Sequence, residues 1–214
     1  MDNPIQILQR RTDCILYHAQ LDTYNDNTIA GWIGGNAPAY FDDTAHLIQE
    51  RQGSSMYFFY LALVHPFQPE RMISIFIPQE YDEYVEHNIY PHCAIKVIEH
   101  PISNESNNDT FTNPNLIKHS ISHGTVTTDD EAMEMPFLIK VGGTPKLIQQ
   151  EEYYMAGLQA ESFSFFFQVD EEGYPETLLA EDGSYPFGFG ALYVYATIEE
   201  DEIGRIVAGF WQYS

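Results

Sequence analysis

Ser162-Phe-Ser-Phe-Phe-Phe167 echoes Ser55-Met-Tyr-Phe-Phe-Tyr60 along the chain: Phe58 and Phe165, like Phe59 and Phe166, stand 107 positions apart. Upstream of each cluster lies a glycine pair closed by proline, Trp32-Ile-Gly-Gly-Asn-Ala-Pro38 and Lys140-Val-Gly-Gly-Thr-Pro145. Pro38 and Pro145 are again 107 positions apart, half the 214-residue length. Two separate landmarks with one offset point to an internal duplication; the alternative is a pair of hairpins that share common strand chemistry. Downstream, each cluster is followed by a Pro-bearing turn and a second strand, Met72-Ile-Ser-Ile-Phe-Ile77 and Ala191-Leu-Tyr-Val-Tyr195. The second copy holds about ten extra residues within Glu171–Phe189, which reads as a loop insertion.

Local chemistry fills in the frame. Asp2 or Asn3 can cap a short helix with Pro4 in its first turn and Ile5, Ile7 and Leu8 on one face. Cys14–Tyr17 is strand-like, and the two Gly-Gly pairs supply the backbone freedom for sharp turns. Helix or turn is expected at His46–Arg51 and Gln150–Met155. Strands are expected at Tyr57–Val64, Met72–Ile77, Cys93–Glu99, Phe137–Val141, Phe163–Asp170, Ala191–Ile198 and Ile206–Tyr213, all rich in β-branched and aromatic residues. Hairpin-length connections favour antiparallel pairing, so the fold class is α+β with mostly antiparallel sheet in two tandem quasi-repeats that share a core. An N-terminal half over 1–100 and a C-terminal half over 136–214 then form one compact unit. Between them, 101–135 is dense in Asn, Ser, Thr and Asp and reads as a polar loop or linker, with one strand inside it at Leu116–Ile121.

Composition bounds the function. Apolar residues make up 44% of the chain, enough for a sizeable core, so disorder of the whole is excluded. The longest apolar runs, such as Met56–Val64, are too short to span a bilayer. No basic start followed by an apolar stretch marks a secretory signal, and Cys14 and Cys93 read as free thiols, so a cytoplasmic protein is expected. Nine Lys and Arg against 32 Asp and Glu leave a formal charge of −23. That field repels nucleic acid and anionic lipid and attracts cationic surfaces. Solubility alone, or a saline habitat, would produce the same imbalance.

The landmarks resemble those of the YwqG-like family of bacterial proteins of unknown function. The resemblance rests on Gly142-Gly143-Thr144-Pro145 with Gln149 four residues on, then Phe166-Phe-Gln-Val-Asp170, then a glycine-rich turn into an aromatic strand. Gln168-Val169-Asp170 matches the family's Gln-Ile-Asp. Phe187-Gly188-Phe189-Gly190 keeps only the glycines of its Trp-Gly-Asp-x-Gly turn, and in the first half Leu61 stands where Gln is expected. The resemblance implies an antiparallel α+β fold, no established catalytic activity, and a place among candidate immunity proteins that accompany bacterial toxins.

Candidate chemistry is mostly acidic. The clusters are Asp129-Asp-Glu131 with Glu134, Asp170-Glu171-Glu172, Glu181-Asp182 and Glu199-Glu200-Asp201-Glu202. Asp170–Glu172 and Glu199–Glu202 each follow a strand, and if those strands are neighbours their charges merge into one anionic patch. Such a patch competes with nucleic acid for the Lys and Arg of a nuclease. Asp170, Glu171, Glu172, Glu181, Asp182 and Glu199–Glu202 are therefore the expected partner-binding residues. The expected partner is a basic protein toxin of nuclease type, bound by a monomer or small oligomer without direct nucleic-acid or membrane contact. A small-molecule or peptide-binding module with a groove between the two halves is the alternative. No catalytic residue, cofactor or metal is expected. Gly-x-Ser-x-Gly and phosphate-cradling glycine motifs are absent from the sequence. His119-x-x-x-His123 lacks the glutamate of a zinc-protease helix, and His87, His92, Cys93 and His100 are loosely spaced for zinc.

Overall fold

A computed structural model describes residues 5–21, 29–48, 56–79, 88–199 and 202–214. The helix-capping residues Asp2, Asn3 and Pro4, as well as His87, Glu200 and Asp201, lie outside the described residues. In chain order the elements are α1 Gln6–Arg10, β1 Asp13–Tyr17, β2 Ala19–Gln20, β3 Ile29–Ile33, α2 Tyr40–Thr44, β4 Tyr57–Val64, β5 Arg71–Pro78 and β6 Lys96–Pro101. They continue with β7 His119–Ser122, β8 Thr125–Thr128, α3 Asp129–Met133, β9 Ile139–Gly142, α4 Tyr153–Ala160, β10 Ser164–Asp170, β11 Ala191–Ile198 and β12 Ile203–Gln212.

The strands form two six-stranded sheets, ordered β12-β11-β10-β9-β1-β8 and β6-β5-β4-β3-β7-β2, with antiparallel neighbours throughout. Strand for strand the two orders correspond. β1 leaves the N-terminal half to lie between β9 and β8, and β7 lies between β3 and β2. Each sheet thus takes one strand from the other side of the chain's midpoint, and residue 100 marks no structural boundary.

The central strands β4, β5, β9, β10 and β11 are buried on both faces, which explains why they read as near-continuous apolar runs. In β5, Ile73, Ile75 and Ile77 enter the core shared by the sheets, while Met72 and Phe76 pack with Phe41 of α2 on the outer face. In β11, Leu192, Val194 and Ala196 point inward and Tyr193 and Tyr195 pack outward with Tyr154 and Leu158 of α4. A bulge in β4 between Phe59 and Leu61, and one in β10 between Phe165 and Phe167, reverses this alternation. Phe59 and Phe165 therefore face outward while Leu61 and Phe167 face the shared core, although all four are odd-numbered. Where the two sheets meet, these inward side chains form one shared core.

The insertion after β10 ties the sheets together at one end. Ile117 N–H donates to Leu178 C=O at 2.7 Å and Ala180 N–H to Asn115 C=O at 2.9 Å. His119 Nε2 and Thr177 Oγ1 are 2.8 Å apart, and the hydroxyls of Tyr60 and Tyr174 are 2.6 Å apart. Along the other edge of the first sheet, Tyr90 N–H donates to Gly209 C=O of β12 at 2.6 Å.

Residues 101–135 are a loop only in part: 102–118 form no helix or extended strand, and the strand expected at Leu116–Ile121 appears as β7 at His119–Ser122. They hold β7, β8 and α3, with Phe111, Asn113, His119 and Ile121 buried. Their Asn, Ser and Thr residues staple the segment to the first Gly-Gly turn instead of freeing it: Asn36 Nδ2 donates to Ser106 C=O at 3.0 Å and Thr112 Oγ1 to Asn36 Oδ1 at 2.6 Å. Turn-forming composition marks local side-chain bonding as readily as it marks solvation.

A shared core predicts shared unfolding. Leu192→Ala should cost about 2–5 kcal/mol. Fluorescence from single-tryptophan variants that keep Trp32 or Trp211, one in each sheet, should report the same denaturant midpoint; two separated midpoints would mean independent halves.

Candidate binding surface

Lys140 lies on the outer face of β9, fully buried. Its ammonium meets Asp129 Oδ1 at 2.6 Å and donates to Thr144 C=O. Asp129 also accepts from the Thr144 hydroxyl at 2.6 Å and from its N–H. Burial pushes the Asp129 carboxyl up, but Lys140 and Thr144 outweigh that and hold it below its ordinary value. The turn that presents Thr144 needs glycine: Gly142 and Gly143 have φ of +78° and +65°, and a Cβ on Gly143 would lie 2.0 Å from Asp129 Oδ1.

From this turn residues 144–149 run as a strap over the outer face, held by one buried polar side chain from each strand in succession. Lys140, Gln168 and Tyr193 are direct cross-strand neighbours. Gln168 Oε1 accepts from Lys146 N–H at 2.7 Å, and the Tyr193 hydroxyl donates to Lys146 C=O at 2.8 Å. On β12, Gln212 Oε1 accepts from Ile148 N–H at 3.0 Å and its amide donates to Gln149 C=O at 2.8 Å. Sequence reading picked out Gln168 and Gln149 but missed Lys140, Tyr193 and Gln212. Their signal was a polar residue in a strand otherwise apolar on both faces.

Asp170 and Glu171, expected on the partner-binding surface, are buried. Asp170 accepts from Glu172 N–H at 3.0 Å and from Gln168 Nε2 at 3.2 Å. Glu171 lies fully inside: its two oxygens accept from Phe187 N–H and Gly190 N–H, each at 2.8 Å, and clamp the turn Phe187-Gly188-Phe189-Gly190. Burial pushes its carboxyl up to about 8, against loop N–H groups that favour the charged form.

The remaining acidic candidates divide between two places. Glu172, Glu181 and Asp182 are exposed on the insertion, together with Glu176. Glu199 and Glu202 are exposed at the β11–β12 connection. Neighbouring β10 and β11 run antiparallel, with Asp170 opposite Ala191, so Glu172 and Glu199 leave opposite ends of the sheet. The eight residues of β11 separate those ends, roughly 25 Å at the usual rise per residue. The merged patch does not form. Meanwhile five basic side chains are taken up in ion pairs: Arg71 with Glu99, Lys118 with Glu105, Lys140 with Asp129, Lys146 with Glu172 and Arg205 with Glu161.

What converges instead is the set of motif landmarks. The strap, the clamped turn and the C-terminal end of β12 meet at one end of the first sheet, and Gln149 Nε2 donates to Tyr213 C=O at 3.4 Å. Two of the histidines are held by hydrogen bonds in the second sheet. His119 is buried in β7 and bonded on both ring nitrogens, His100 bonds Ser74, and burial raises the Cys14 and Cys93 thiols to about 11 and about 12. Among the described residues no group of three or more His, Cys, Asp or Glu is placed to hold a metal ion, and no helix is long and apolar enough to cross a membrane. No family model matches this chain, and no curated protein matches it.

Lys140→Met leaves Asp129 unpaired beneath the strap and should cost roughly 3–5 kcal/mol by denaturant titration. Asp129→Asn in the same chain should recover a large part of that loss. Glu171 makes a second, pH-dependent prediction. Its folded value is raised above the ordinary 4.5 to about 8, so folding retains a proton that the unfolded chain releases. Its contribution is fully present below pH 4.5 and is lost as pH rises toward 8. Glu171→Gln should flatten the stability profile in that window; an unchanged slope would mean that the carboxyl is ionised throughout.

Proposed function

We propose that this chain is an acidic binding protein of the immunity type. In the bacterial cytoplasm it captures a cationic antibacterial toxin, a nuclease above all, and covers that toxin's active or substrate-binding surface. It performs no catalysis and acts as a monomer or small oligomer. The observation that carries this reading is the surplus of surface carboxylates on a frame whose few bases are largely paired internally. Glu172, Glu176, Glu181 and Asp182 all stand on one insertion that is hydrogen-bonded to both sheets. Fixed carboxylates of this kind steer and orient a basic partner more effectively than a charged tail does.

The resemblance to the YwqG-like family supports the same reading. So does the matching order of the two sheets, which fits a tandem duplication with exchanged first strands. Burial of Asp170 and Glu171 reduces the contact set to Glu172, Glu181 and Asp182, with Glu199 and Glu202 left as a second, distant charge group.

Co-expression with a cationic nuclease toxin encoded beside this chain should restore growth, and the two proteins should co-elute on gel filtration. Titration calorimetry should show affinity falling by roughly tenfold or more between low and high ionic strength. Affinity independent of salt would remove charge-driven capture, and failure of both rescue and complex formation would remove the inhibitor reading.

A further inference from the structure

The end of the first sheet where the landmarks converge carries large apolar side chains in water. Phe189 is 48% exposed, Tyr213 42%, Ile148 40% and Tyr153 56%. Contacts between their neighbours bring them together there. A Cβ on Gly188, beside Phe189, would lie 3.6 Å from Tyr213 Cβ. Tyr213 C=O accepts from Gln149, which follows Ile148, and Gln149 Oε1 accepts from the Tyr154 hydroxyl at 2.7 Å. Tyr154 in turn stacks on Tyr153 at 4.5 Å.

Phe189 has a φ of +64°, a region that bulky side chains rarely enter. The Glu171 clamp on the flanking N–H groups holds the turn in that form and leaves the ring outside. Aromatic side chains are enriched at protein interfaces.

Charge identifies the occupant. Exposed Glu151 and Glu152 border Tyr153, and Lys146, the basic residue of the strap, is already paired with Glu172 at 2.9 Å. An aromatic face rimmed by carboxylates suits a guanidinium, which stacks on rings and pairs with carboxylates at once. A second copy of this chain would bring a charge of −23 against −23, and an anionic membrane or nucleic acid would be repelled in the same way.

We infer that the surface formed by Phe189, Tyr213, Ile148 and Tyr153 is the docking face for an arginine-bearing segment of a cationic protein. This inference rests on the proposed capture of a basic partner and names the face that performs it.

An oligo-arginine peptide is the probe, with oligo-lysine of equal length as the comparison, titrated into the full chain at low ionic strength. Oligo-arginine should bind several-fold more tightly than oligo-lysine, since stacking favours the planar guanidinium. Phe189→Asn and Tyr213→Ala should each weaken oligo-arginine binding about fivefold or more. Asn tolerates positive φ, so the first variant should fold with unchanged or higher thermal stability. Glu199→Gln with Glu202→Gln, at the far end of the sheet, should change binding less than about twofold. Equal affinity for both peptides, with no effect of the aromatic variants and a clear effect of the distant carboxylates, would overturn this face and leave diffuse charge capture standing. Absence of binding by either peptide at low salt would overturn both.

Discussion

Lys140 stands in the middle of a six-stranded sheet with its ammonium out of water, and Asp129 is the carboxylate that makes that burial tolerable. The pair joins α3, β9 and the Gly142-Gly143 turn at a single point, and the path of the strap begins there. From Thr144 onward, Gln168, Tyr193 and Gln212 lead the backbone across three strands, one side chain per strand. A strap fixed in this way cannot drift, so Gln149 arrives beside Tyr213 and Tyr154 at the loop end of the sheet. The exposed surface is a consequence of what is buried beneath it. Unpaired, the same lysine would be among the costliest groups in the molecule.

A second buried carboxylate works in the opposite sense. Glu171 sits where burial favours its neutral form, yet both of its oxygens receive backbone N–H groups. Its role is to close the Phe187–Gly190 turn and turn Phe189 outward. Two acidic side chains adjacent in sequence, Glu171 and Glu172, thus have unrelated tasks: one shapes a turn from within, the other pairs with Lys146 at the surface. A net charge counts both alike, whereas only the second reaches the surface.

Much of the frame was legible beforehand. The aromatic clusters at Tyr57–Tyr60 and Phe163–Phe167, the paired glycines and the strands at Ala191–Ile198 and Met72–Ile77 all carry their signal locally, in side-chain type and turn chemistry. Antiparallel pairing followed from connection length. Less of the site was legible. Gln149, Gln168 and the glycine turn were visible as motif residues, but Lys140, Tyr193 and Gln212 become a row only once β9, β10, β11 and β12 lie side by side. The order within 101–135 was only partly legible because Asn, Ser and Thr bond to backbone in folded segments and to water in open ones, and composition does not separate the two.

By itself, then, the sequence determined a mostly antiparallel sheet fold and the sign of the surface field, because each depends on residue type and near neighbours. Tertiary structure alone decided where the carboxylates went. Strand direction sent Glu172 and Glu199 to opposite ends of one sheet, and burial drew Asp170 and Glu171 inside. Strand exchange placed β1 among the C-terminal strands and β7 among the N-terminal ones. All of these depend on contacts between residues far apart along the chain, whose geometry exists only after both sheets have closed over a common core.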